Sequence, residues 1–124
     1  MTFFQKEFKK FQAAFLGIGK FIQSATHAKW HLTIAVLVII AGWFFCIAAI
    51  EWIAILLCIG FVLTAEAINE SIERTCDFIH SDYHAEIGKI KDIAAGAVLI
   101  AAIISVVIGA IIFLPRMLDL LQKL

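Results

Sequence analysis

Helical periodicity is visible from the fourth residue onward. Phe4, Phe8, Phe11, Phe15, Ile18 and Ile22 recur three or four positions apart, and Lys6, Lys9, Lys10 and Lys20 share the remaining surface. This predicts an amphipathic helix within residues 1–29, lying in a membrane interface with its lysines reaching anionic headgroups. From Leu32 to Ile50 the alternation gives way to a charge-free apolar run, long enough for a first spanning helix (32–50) of ~20 residues. Glu51-Trp52 predicts a short turn with the tryptophan at the headgroups. A second span (52–69) is apolar to Ala65 and reaches full length only by running through Glu66 and Asn69, after which the helix continues into water to Asp77. A polar connection follows, Phe78 to Lys91, in which Ser81 or Asp82 is expected to cap a new helical turn. Ile93 to Leu114 forms the third span (93–114), and Pro115 is expected to end it.

Composition and charge sharpen this outline. Of 124 residues, 63% are hydrophobic and mean hydropathy is +1.00, more apolar surface than a soluble core of this size can bury. The expected class is an all-α integral membrane protein with a single domain, 1–124. Ten bases balance ten acids, so no bulk field favours nucleic acid. The bases are asymmetric: Lys6, Lys9, Lys10, Lys20 and Lys29 precede the first span, and Arg74, Lys89 and Lys91 lie between the second and third. Arg116 and Lys123 remain for the other side, so the N-terminus and the acidic segment are expected in the cytoplasm. The early lysines precede any apolar core, so no signal peptide is expected. Cys46, Cys58 and Cys76 form no CxxC pair, and the two in apolar runs read as small core hydrophobes.

The chemistry gathers in one place. Seven of the ten acids lie between Glu66 and Asp92. At about 100° per residue, Glu66, Asn69, Glu73 and Asp77 share one narrow helix face where the second span leaves the membrane. Carboxylates near hydrocarbon are costly and point to function. Three acids and an amide on one face suit a divalent cation, a phosphate donor held through it, and a general base. The competing reading, a wet helix surface with an i,i+4 pair, fits Glu70 and Arg74 well and Glu66 and Asn69 poorly. Lys91-Asp92 opens the third span at the same depth, where the lysine either anchors the helix or neutralises phosphate charge. Cys76, His80 and His84, like His27 and His31, have metal-ligand spacing, but a cap near Ser81–Asp82 would separate the first set. Gly19-Lys20 is no Walker A, since Phe21 replaces the hydroxyl and Ala14 the first glycine. A cation transporter would need a polar path, and Thr33 and Ser105 are the only hydroxyls in the first and third spans.

Glu66-Ala-Ile-Asn69-Glu-Ser-Ile-Glu73-Arg-Thr-Cys-Asp77 resembles the signature E-x-x-N-[ST]-x-[IL]-E-x-x-x-D of the small prokaryotic membrane kinases, the diacylglycerol kinase and undecaprenol kinase family. The spacer Ser81-Asp82-Tyr83-His84 and the run from Gly88 through Lys91-Asp92 to Leu99 are similar as well. The resemblance implies a homotrimer in the bacterial cytoplasmic membrane, with composite sites on the cytoplasmic side that move the ATP γ-phosphoryl group to a lipid hydroxyl. By position, Glu66 would be the general base, Glu73 a magnesium ligand, and Asn69 a positioning group. Lys91, Asp92 and Asp77 would serve the nucleotide, with Gly88 and Gly17 beside it. Ala25 stands where the family carries a second metal-binding glutamate, and Glu70 stands where Ser or Thr is usual. Ala94 to Leu99 and Phe113-Leu114-Pro115 look like the undecaprenol branch, with diacylglycerol as the alternative substrate. A disabled relative serving as scaffold or lipid-binding protein is the reading that Ala25 motivates.

Overall fold

A computed structural model describes residues 1–124 as four helices: α1 (Phe3–Ser24), α2 (Thr26–Phe44), α3 (Ala49–Ile79) and α4 (Ala85–Gln122). Thr2 caps α1, its Oγ1 accepting from the Gln5 N–H (3.3 Å) while the Gln5 amide oxygen accepts from the Thr2 N–H (3.0 Å). No residue of α1 is buried, and Phe4, Phe8, Phe11 and Phe15 all stand exposed. The aromatic stripe therefore faces outward, as a helix lying in a membrane interface requires. Ala25 ends α1 and starts α2 in extended backbone (φ −85, ψ 114), which bends the chain from the interface into the bundle.

The other three helices are long and apolar enough to cross a membrane. Only 12 of 124 residues are buried, and Leu56, Leu57, Phe61, Ile103 and Val107 are exposed. Apolar surface on this scale needs hydrocarbon or another subunit to cover it. Small residues hold the interior: Ala28, Ala35 and Gly42 repeat every seventh position of α2, and Ala94 and Ala101 do so on α4. Such stripes let backbones approach closely. The approach is tightest at Gly42, where an added Cβ would lie 2.7 Å and 2.9 Å from the Trp52 ring. Ile47, Ile55 and Ile112 close the same end of the bundle.

Three expectations are corrected. The first turn falls at Phe45–Ala48, not at Glu51-Trp52: Cys46 takes a left-handed conformation (φ 51) and the Ile47 N–H donates to the Gly42 carbonyl. Glu51 instead lies in the first turn of α3, where its carboxylate accepts from the Ala48 N–H (2.7 Å). Pro115 does not stop α4, which runs on to Gln122. Proline removes the donor to the Ile111 carbonyl without ending the helix, and the neighbouring Arg116 guanidinium ties this stretch to α3, donating to the Ile112 carbonyl (2.6 Å) and both Glu51 oxygens (2.8 and 3.0 Å). At the other end, His84 rather than Ser81 or Asp82 caps α4, its Nδ1 accepting from the Glu86 N–H (3.2 Å). Cys76 is buried inside α3, and no three metal-ligating side chains come together in the chain.

Candidate active site

The last turns of α3 carry the acidic face and distribute it among three neighbouring helices. Glu66 is turned inward and is only 3% exposed. Its Oε2 lies 3.9 Å from Nε2 of His31, at the start of the apolar part of α2. One turn further, the Asn69 Oδ1 is buried with no hydrogen-bond partner. A buried acceptor left open marks a place where a donor is wanted.

Glu73 and Asp77 face α4. Lys91 bridges them, with Nζ 2.6 Å from Asp77 Oδ1 and 3.5 Å from Glu73 Oε2. Lys91 precedes the 93–114 run expected to span the membrane. Its hydrogen bond to Asp77 holds its pKa above the ordinary lysine value, against a smaller opposing effect of desolvation. The ammonium is therefore a fixed positive charge. Glu66 and Glu73 are seven residues apart on α3, a backbone rise of about 10 Å, with Glu66 turned toward α2 and Glu73 toward α4.

Glu70 points elsewhere. It pairs with Arg74 (2.8 Å) and lines a cleft against α1 with Gly17, Lys20 and Ser24. Gly17 thus sits on the α1 side of α3, away from the Lys91 bridge. Gly88 is one turn before Lys91 on α4, and open space lies beside both glycines. Asp92 is exposed and outside the ion-pair network that joins Lys91 to α3. Ala25 is 1% exposed and carries no carboxylate, so of the two positions expected to ligate magnesium only Glu73 offers one. This still fits an ion that arrives on nucleotide phosphates, because magnesium is commonly held by one or two carboxylates plus phosphate and water.

Two wide apolar spaces flank these groups. A groove of about 790 Å³ runs beside α3 from Gly60 to Ile79 and is walled by Phe21, Leu32 and Ile90. A cavity of about 250 Å³ lies between the spanning helices, with His31, Cys58 and Ser105 as its polar groups. The contact of His31 with Glu66 was not anticipated from the sequence. It was legible from depth: His31 immediately precedes the first span, and Glu66 closes the second, antiparallel one.

A family model described as prokaryotic diacylglycerol kinase matches residues 12–113. The chain is 38% identical over 110 residues to the undecaprenol kinase of Bacillus subtilis, covering 89% of each protein. It is 32% identical over 112 residues to a diacylglycerol kinase of Synechocystis sp., covering 90% of this chain and 64% of that one. It is also 32% identical over 91 residues to the diacylglycerol kinase of Escherichia coli, covering 73% and 74%. With its interfacial helix, its three membrane-length helices and its acidic face, the chain belongs to the prokaryotic diacylglycerol kinase family.

Proposed function

We propose that this protein phosphorylates a membrane lipid alcohol with ATP and magnesium, undecaprenol being the favoured acceptor. The observation that carries this reading is the order along α3: one buried carboxylate, then, two turns on, the first of two carboxylates bridged by a lysine. Phosphoryl transfer needs positioning, charge neutralisation and a base, and no covalent intermediate on the protein. Glu66 takes the proton of the lipid hydroxyl, which lies at the membrane boundary where α3 emerges. Asn69, one turn further on the same face, positions the base or the phosphate, its buried Oδ1 being open to a donor. Lys91 and Asp77 meet the nucleotide phosphates, where the ammonium offsets charge developing on the transferred group. Glu73 would hold magnesium, whose chemistry is to screen the phosphate oxygens. Asp92 and Gly88 border the nucleotide on α4, while Gly17 lies in the separate cleft between α1 and α3.

Undecaprenol is favoured over diacylglycerol because identity to the undecaprenol kinase is higher, 38% against 32%, and spans more of that relative's own length. The basic residues flanking the first span and the α3–α4 connection support a cytoplasmic site in a bacterial inner membrane. The groove beside α3 supports assembly with further copies into a trimer. A second reading, a disabled scaffold, rests on Ala25, which is buried and supplies no carboxylate. Labelled ATP and magnesium, offered to purified protein in micelles with each lipid separately, decide between them. The expected result is labelled undecaprenyl phosphate, lost by about 10²–10⁴-fold in Glu66→Gln. Absence of label in both lipids refutes the kinase reading.

A further inference from the structure

The geometry points to His31 as the positioning residue for Glu66, an assignment that rests on the kinase reading above. Glu66 is the one acidic side chain among the buried residues, and His31 is the one basic group within ion-pair distance of it. The basic groups that pair with the rest of the acidic segment are engaged elsewhere: Lys91 with Glu73 and Asp77, and Arg74 with Glu70. His31 lies on α2, so the contact joins two spanning helices and is not a local pair within α3.

A carboxylate on a spanning helix has several rotamers open to it, and few of them aim an oxygen at a lipid hydroxyl arriving from the membrane boundary. A ring N–H donated from α2 selects among them. At 3.9 Å the contact is longer than a formed hydrogen bond, and such contacts commonly tighten only in the reacting complex. The imidazole has a place to move, since it also lines the cavity between the spanning helices. In this arrangement His31 Nε2–H donates to Glu66 Oε2, and the second carboxylate oxygen is left to take the substrate proton. His31 does not touch the substrate; it fixes the base.

The test combines kinetics with a signal that does not need turnover. His31→Ala is expected to lower kcat about 10- to 100-fold, the worth of a hydrogen bond to a charged group, with KM for ATP within about twofold. His31→Gln, whose amide N–H reaches the same region, is expected to recover most of that loss. In a Glu66→Gln background, His31→Ala is expected to cost nothing further, because the group it orients is gone. Independently, ¹⁵N-histidine spectra of the full-length protein in micelles are expected to show one imidazole, that of His31, shifting in Glu66→Gln. The exposed His27 serves as a control, since His27→Gln should leave both kcat and the His31 signal unchanged. Wild-type kcat in His31→Ala, equal losses in the Ala and Gln variants, or an unmoved His31 signal would overturn the assignment. An unaltered chain that transfers no phosphate but retains the His31 shift refutes the kinase reading alone and leaves the pair standing.

Discussion

Gly42→Ala is a single added methyl whose consequence follows from the packing. The new Cβ would stand 2.7 Å from Trp52 Cη2, 2.9 Å from Cζ2 and 3.1 Å from Ile47 Cδ1. The closest of these is about 0.7 Å inside the 3.4 Å at which ordinary contact begins. The indole cannot simply swing clear, because Trp43 packs on it with ring centroids 5.7 Å apart and a 59° tilt. Either Trp52 leaves its rotamer or α2 separates from α3 near the Phe45–Ala48 turn, and overpacking of this kind costs about 1–3 kcal/mol. For a chain of this length that lowers the thermal midpoint by roughly 4–12 °C. Tryptophan fluorescence on heating in micelles reads it directly, since the colliding ring is the reporter. Gly42 is eleven residues from His31, about 16 Å along α2, so phosphate transfer at low temperature should be unchanged. Trp52→Leu removes both colliding ring carbons, and in that background Gly42→Ala should become nearly neutral. An unchanged midpoint, or the same loss with and without Trp52, would refute the packing argument.

Three further outcomes are expected. Lys91→Ala releases Glu73 and Asp77 and removes the charge proposed to meet the nucleotide; kcat/KM for ATP should fall about 10²-fold, with Lys91→Arg recovering part, and unaltered ATP kinetics would count against the assignment. Arg116→Ala breaks the two-pronged contact with Glu51 at the opposite end of the bundle, which should lower the thermal midpoint in micelles while leaving phosphate transfer at low temperature intact. Ala25→Glu supplies a second carboxylate; the magnesium concentration for half-maximal transfer should drop about tenfold, read from activity against free magnesium, and an unchanged requirement would show that the position lies outside the metal's reach.

What was legible in the sequence was what the bilayer dictates. Phe4, Phe8, Phe11 and Phe15 announce the interfacial helix because lipid rewards an aromatic stripe that no protein core covers. The apolar runs announce the spans for the same reason. The acidic face was legible because carboxylates at that depth are anomalous, and Glu66 is indeed the buried one. The turn was not, because it rests on Cys46 at positive φ, a position where the expected signals are Gly or Asn. The course of α4 past Pro115 was not legible either, since a proline costs a helix one hydrogen bond without always ending it, and the Arg116–Glu51 pair that ties this stretch to α3 joins residues 65 apart. The α4 cap was placed at Ser81 or Asp82 on side-chain preference, and His84 took the role because its ring nitrogen is a comparable acceptor at the point where the helix begins.

The two ends of the bundle are closed by different chemistry, and the difference fits their roles. At the far end an arginine grips one carboxylate through both oxygens and a backbone carbonyl as well, a planar match that no small ligand easily displaces. At the acidic end a lysine spans two carboxylates, one at 2.6 Å and one at 3.5 Å, and its flexible stem leaves the ammonium free to re-aim. A compact ammonium can pass from carboxylate to phosphate as a nucleotide arrives, which frees the Glu73 oxygens at the moment a magnesium-bearing phosphate needs them. On the kinase reading, the bridge holds α3 to α4 in the absence of nucleotide and gives way to the substrate's own charges. Replacing the pair Lys91 and Asp77 by Arg and Glu should therefore tighten the bundle and slow nucleotide entry together. A variant whose thermal midpoint rises while ATP kinetics stay unchanged would show that the bridge is only structural.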